Sequence, residues 1–184
     1  MKKKTGFTLI ELLMVISIMA ILLGVALPSF SNLLERKKVS SNVQRLIQTL
    51  QMSRFKSITD NVKVTICPVN KSLNCASDWS KGYISFVDAD GDRQYNGDDQ
   101  LLFQFYSEDE KSRLSWRAFG HKKSLQWLET GITNHQNGSF EFCYNDDLEL
   151  ARGLYITKAG RIRYSKDSNG DGIHEKVNGS PINC

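Results

Sequence analysis

The chain has 184 residues, 40% of them hydrophobic and 24% charged, with a formal net charge of +4. That length accommodates one long helix and a single globular domain of roughly 125 residues, and it excludes a multi-domain chain. No internal repeat or low-complexity linker is present, and the small net charge hides strong segmentation. Residues 28–59 carry +5, residues 60–110 carry −6 and residues 111–184 carry +3.

The N-terminus reads Lys2-Lys3-Lys4, then Gly6-Phe7-Thr8-Leu9-Ile10-Glu11, then an apolar run to Leu27. At the rise of an α-helix, Phe7–Leu27 spans roughly 30 Å, about the hydrocarbon thickness of a bilayer. Its one charge, Glu11, is costly in such a setting and therefore predicts a function and a cationic partner. A secretory signal has no acid in its apolar core and is cut behind that core. Here the glycine precedes the apolar run. The pattern resembles a class III prepilin signal, so the chain is similar to type IV pilins and pseudopilins. That resemblance implies cleavage after Gly6, N-methylation of Phe7, and pairing of Glu11 with the N-terminal amine of a neighbouring subunit. The basic leader should stay cytoplasmic. Gly24 and Pro28 are expected kink points.

Beyond Pro28 the helical period continues. Val39, Val43, Leu46, Ile47 and Leu50 form a stripe that Phe55 and Ile58 extend. Arg36, Lys37, Lys38, Arg45 and Lys56 are expected on the other face, and the helix should end near Thr59-Asp60-Asn61. From Val62 the period becomes two, predicting a half-buried strand over Val62–Ile66. Further strands are expected at Tyr83–Val87, Leu101–Tyr106, Leu114–Ala118, Leu125–Leu128, Ser139–Cys143, Leu154–Thr157 and Arg161–Tyr164. One long helix followed by many short strands gives an α+β fold with antiparallel sheets. The expected organisation is a leader over 1–6, a membrane or filament-core helix over 7–28, its amphipathic continuation over 29–60, and a β-rich head over 61–184.

Cys67, Cys75, Cys143 and Cys184 all lie beyond the apolar segment, in what would be an oxidising compartment. Four cysteines allow three connectivities. Short separation favours Cys67–Cys75, which leaves Cys143–Cys184. Zinc binding has little support, because no C-x-x-C pair is present and the histidines are scattered.

The order of head motifs narrows the family. Cys67 and Cys75 flank a loop, followed by Trp79, Gly82, Phe86-Val87-Asp88 and an Asp/Asn/Gly-rich turn before Leu101-Leu102. Asn137-Gly138-Ser139-Phe140 then leads to Cys143, and Gly160-Arg161-Ile162-Arg163 follows. This order resembles the GspH/FimT family of minor pilins and pseudopilins. It implies a long N-terminal helix packed on a β-sheet head. It also implies a subunit held in the inner membrane with a periplasmic head, later assembled into a surface pilus. The implied partners are the prepilin peptidase, the inner membrane, and other major and minor pilins.

Two loops are acidic. Asp88, Asp90, Asp92, Asn96, Asp98 and Asp99 crowd the first, but Arg93 stands where an EF-hand has its sixth-position glycine. Asp167, Asn169, Asp171 and Glu175 make a D-x-N-x-D-G-x-x-E pattern in the second, with Asn178 where the twelfth-position glutamate would be. Asx and glycine residues also build plain turns, the favoured reading for both and more strongly for the first. The second is a weak calcium candidate.

Between the two loops, Leu154–Thr157, a Lys158-Ala159-Gly160 turn and Arg161–Tyr164 read as a basic hairpin. Alternation places Arg161 and Arg163 on one face, their Cα atoms about 6.6 Å apart, within reach of alternate or neighbouring phosphates of a nucleic-acid strand. Arginine binds phosphate oxygens in a bidentate fork. Lys158 and Lys166 would extend the patch. A Gly-Arg-x-Arg motif in the FimT branch is associated with DNA binding in natural transformation, and here it falls on Gly160, Arg161 and Arg163. The resemblance therefore implies capture of double-stranded DNA and support of its uptake. The alternative is a structural minor pilin or type II secretion pseudopilin that primes or caps a filament without DNA, and a third reading is adhesion. Charged residues also simply protect an edge strand.

No G-x-S-x-G, H-E-x-x-H or phosphate loop is present. His121, His135 and His174 have no partner at motif spacing, and Trp79, Trp116 and Trp127 read as core or rim. No enzymatic activity and no cofactor are expected.

Overall fold

The computed structural model describes Gly6, residues 8–120 and residues 123–184, without the side chains of residues 25–29. The basic leader, Phe7 and His121 lie outside the described residues. The chain forms two compact units, Met1–Lys38 and Val39–Cys184. One helix, α1 (Leu9–Asp60), supplies residues to both.

In the first unit, α1 begins with a capping box. Thr8 N–H donates to Glu11 Oε2 at 2.8 Å, and Glu11 N–H donates to Thr8 Oγ1 at 3.3 Å. The pair satisfies two backbone donors that a helix start leaves open. The apolar residues that follow point outward, with Leu9 74% and Ile21 70% exposed. The helix assignment runs unbroken through Gly24 and Pro28. Among the described residues, no helix is long and apolar enough to cross a membrane. The span expected over 7–28 includes Phe7, which lies outside the described residues, and residues 25–28, described without their side chains.

In the second unit, α1 packs on two four-stranded antiparallel sheets. The first has the order β3-β2-β1-β5, built from β1 (Val64–Pro68), β2 (Gly82–Val87), β3 (Gln100–Tyr106) and β5 (Leu125–Trp127). The second has the order β4-β6-β7-β8, built from β4 (Ser112–Phe119), β6 (Asn137–Tyr144), β7 (Asp147–Ile156) and β8 (Ile162–Tyr164). The shared core takes Val39, Leu46, Ile47 and Leu50 from the helix, Val64, Ile66 and Trp127 from the first sheet, and Phe140, Leu154 and Ile156 from the second.

The helical stripe changes character after Leu50. Ser53 and Ser57 are buried where the sequence pattern pointed to Phe55 and Ile58, which stay exposed. Small polar residues let the helix approach the first sheet closely, and Ser53 Oγ meets Ser85 Oγ at 2.6 Å. The helix ends at Asp60, with Asn61 in the left-handed region at φ 56° and Val62 N–H donating back to the Ser57 carbonyl at 3.2 Å. Asparagine tolerates that conformation better than most residues.

β1 is not half-buried. It lies between β2 and β5, and all five of its residues are buried. Its second face carries its own small core of Cys67, Val69, Ile84 and Phe86, covered by Leu73 and Cys75 of the disulfide loop and by Tyr95 and Leu101. Disulfides join Cys67 to Cys75 and Cys143 to Cys184, closing loops with separations of 8 and 41 residues.

Candidate nucleic-acid interface

The hairpin expected near the C-terminus forms from β7 and β8, with Tyr155 directly opposite Arg163 and Ile156 opposite Ile162. β8 is the edge strand of the second sheet. The connecting turn closes through Gly160 N–H to the Thr157 carbonyl at 2.8 Å and Thr157 N–H to the Arg161 carbonyl at 3.0 Å. Arg161 N–H also donates to Thr157 Oγ1 at 3.1 Å. Gly160 sits at φ +79°, and a Cβ there would strike the Gly131 carbonyl oxygen and the Arg54 guanidinium. Glycine is therefore required twice over, by conformation and by space.

Alternation holds for Ile162 but not for Tyr164, which the same alternation would turn away from the arginines and which is exposed and lines their groove. Ile162 is half-buried and packs against the core, while Arg161 and Arg163 are exposed. Arg161, Arg163 and Lys166 line one groove of about 610 Å³. Among the described residues, none of these three side chains is drawn into an ion pair. Lys158 is exposed on the turn and is not among the residues that line this groove.

Two further contributors escaped the sequence reading. Lys176 joins the groove from the C-terminal segment, which the bridge between Lys166 and Glu175 folds back beside β8. It reaches Glu141 Oε1 at 3.7 Å. No local periodicity marks residues 165–184, so only the pairing brings Lys176 here. Tyr155 lines the groove as well, and burial together with the Glu141 carboxylate pushes its phenol above the usual range. Its hydroxyl has no hydrogen-bond partner among the described residues. Glu175, also a lining residue, is buried and accepts from Ser168 N–H at 2.8 Å, so its charge is turned into the protein.

The second acidic loop adjoins this groove. Asp167 accepts from Gly170 N–H at 2.7 Å and Gly172 N–H at 2.9 Å, bonds that hold its carboxyl below the usual range. Asn169 accepts from Asp171 N–H at 3.0 Å, and Asp171 accepts from Ile173 N–H at 2.8 Å. Asp167, Asp171 and Glu175 offer carboxylate oxygens within 4.8 Å of one another. Most of their capacity serves the turn itself, as Asx turns do. His174 contacts Ser165 Oγ at 2.9 Å, and burial together with the Arg152 charge pushes its imidazole below the usual range. Trp79, Trp116 and Trp127 are all buried and offer no stacking platform.

The family model described as type II transport protein GspH matches residues 42–174. The prokaryotic N-terminal methylation motif matches residues 1–27. The pilin-like protein PilA1 of Thermus thermophilus is 31% identical over 93 residues, which cover 50% of this chain and 54% of that relative. The match thus spans about half the length of that curated protein. Among solved structures, the type IV minor pilin FimU of Pseudomonas aeruginosa aligns with a TM-score of 0.58 at 20% identity, covering 82% of this chain and 97% of FimU. The minor pseudopilin EpsH of the Vibrio cholerae type 2 secretion system aligns with a TM-score of 0.51 at 9% identity, covering 68% and 94% respectively. At these identities the likeness is one of fold.

Proposed function

We propose that this chain, which belongs to the GspH family of minor pilins and pseudopilins, is a type IV pilus subunit that binds double-stranded DNA without sequence preference and supports its uptake. The observation that carries this reading is the convergence of Arg161, Arg163 and Lys166 on one exposed groove at a sheet edge. The arginines supply forked donors for phosphate oxygens, and the lysine supplies a mobile point charge. The cationic side chains that define the groove suit phosphate oxygens, so binding is driven by phosphate charge and counterion release. One copy binds modestly, and several subunits on one filament raise the avidity.

The first unit supplies the filament role. Its outward-facing apolar residues require cover, first by the inner membrane and then by neighbouring pilins in the filament. In this reading the prepilin peptidase cuts after Gly6, Phe7 is N-methylated, and Glu11 exchanges its bonds to Thr8 for the amine of an adjacent subunit. The head works outside the cell, and filament retraction draws captured DNA inward. No covalent chemistry is required of it.

The matching family is described by type II transport, which favours a second reading, a pseudopilin that primes or caps a secretion filament. Titrating short duplex DNA into the detergent-solubilised full chain separates the two. DNA capture predicts binding whose log affinity falls with log salt at a slope of about −3, as expected for three or four phosphate contacts. The secretion reading predicts no binding even at about 50 mM salt.

A further inference from the structure

We propose that the first acidic loop, Asp88–Asp99, is a binding site for a single calcium ion. Asp88, Asp90 and Asp99 each present a carboxylate oxygen, and these atoms lie within 4.8 Å of one another. The decisive residue is Asp88, only 1% exposed. Its Oδ2 is saturated, accepting from Thr65 Oγ1 at 2.6 Å, Gln126 Nε2 at 2.7 Å and Arg93 N–H at 3.1 Å. Its Oδ1 is buried and accepts no hydrogen bond among the described residues. The Arg93 charge acts on Asp88 from nearby without bonding to this oxygen. A buried carboxylate oxygen without a donor is costly, and a hard cation supplies the direct ligand contact that Oδ1 lacks.

The surroundings fit such an ion. Asp88, Asp90, Asp92 and Asp99 occupy positions one, three, five and twelve of a twelve-residue loop, the carboxylate spacing of an EF-hand. Position six, a glycine in an EF-hand, is Arg93, which nonetheless adopts φ +67°. Its guanidinium is turned to Gln136 Oε1 at 3.2 Å. The chain thus makes the sharp turn with a residue that sequence reasoning takes as a disqualification. Asp92 accepts from Gln94 N–H at 2.6 Å and lies outside the cluster. Asp90 accepts from Asp92 N–H at 3.1 Å, and Asp99 accepts from Ala89 N–H and Asn96 N–H at 3.0 Å each, so the buried Asp88 Oδ1 sets this loop apart from the second acidic loop. Lys63 Nζ lies against Gly91 and makes no ion pair with the cluster among the described residues.

A bound ion would tie the exposed loop to the floor of the first sheet. Through Asp88 it would be coupled to Thr65 of β1 and Gln126 of β5, two buried residues on the face away from α1. The carboxylate count and partial exposure match weaker extracellular calcium sites, with Kd of about 10⁻⁴ to 10⁻³ M. This site does not depend on the DNA reading, since none of its residues lines the basic groove.

The test is a calorimetric titration of the detergent-solubilised full chain with calcium chloride, with thermal melts in parallel. The expected result is one calcium per chain and a raised Tm. Asp90→Asn and Asp99→Asn, at positions outside the buried floor, should each raise Kd at least about tenfold. Asp171→Asn, in the second acidic loop, should leave it unchanged. Absence of binding up to about 10 mM calcium, well above the expected Kd, would overturn the assignment. So would calcium binding that survives both loop variants, or that is lost in Asp171→Asn alone.

Discussion

Arg54 of α1 donates from Nε to the Gly131 carbonyl oxygen at 2.7 Å, and through Nη2 to the Ala159 carbonyl at 3.3 Å. One helix side chain thereby holds the turn after β5 and the turn that carries the basic hairpin. Arg54→Ala leaves two carbonyls without their donor and should destabilise the chain by about 1–3 kcal/mol. Urea denaturation should show a lowered midpoint at unchanged slope. Arg54→Lys should recover little, because an ammonium cannot fork to both carbonyls.

Gly160 packs into the same clamp. Gly160→Ala meets both a left-handed φ and the Gly131 carbonyl, so it should cost well over the about 1 kcal/mol expected from conformation alone. Gly170→Ala is the comparison, because Gly170 has φ +82° but open space around it. Its cost should stay near about 1 kcal/mol. Equal losses in the two variants would show that the clamp is not tight.

The C-terminal segment delivers Lys176 to the groove and ends in the disulfide from Cys143 to Cys184. Replacing both cysteines by serine should cost about 4 kcal/mol on the chain-entropy account, against about 2.5 kcal/mol for the shorter Cys67–Cys75 loop. Thermal melts of the two double variants check the order. The longer loop's variant should also bind DNA more weakly, since Lys176 loses its tether.

His174 gives the same segment a pH dependence. Its imidazole lies below the ordinary value of 6.5 in the folded chain, so folding favours the neutral ring. The resulting stabilisation is complete above pH 6.5 and is lost as pH falls through that value towards the folded pKa. Amide hydrogen exchange of residues 165–182 should therefore quicken as pH falls from about 7.5 to about 5.5, after correction for intrinsic rates, and His174→Gln should flatten the trend.

The parts of the fold legible in the sequence are those governed by local period. The stripe from Val39 to Leu50, the strands around Phe86, Phe103, Trp116 and Phe140, and the arginine alternation about Ile162 all follow from spacings of three, four or two. What escaped depends on contacts distant in sequence. Ser53 is buried because Ser85 of the first sheet meets it, whereas Phe55 has the more apolar side chain yet faces outward. β1 looks half-buried because Lys63 and Thr65 interrupt its apolar residues, but Thr65 has a buried partner in Asp88. β7 extends back to Asp147, through polar residues that read as loop, because the Asn145-Asp146 turn lets it pair with β6 from Tyr144 onward. Lys176 reaches the groove only through the bridge to Lys166, and the orphaned Asp88 oxygen has no signature in sequence at all.

The most direct test of the account is the affinity of the Arg161→Gln/Arg163→Gln double variant for short duplex DNA, measured beside the unaltered full chain in detergent across a salt series. The unaltered chain should bind, the double variant should bind at least about tenfold more weakly at low salt, and the salt slope should become shallower by about 2. Equal affinity and slope in the two proteins would remove DNA recognition from the groove, and absence of binding in both would contradict DNA capture by this subunit.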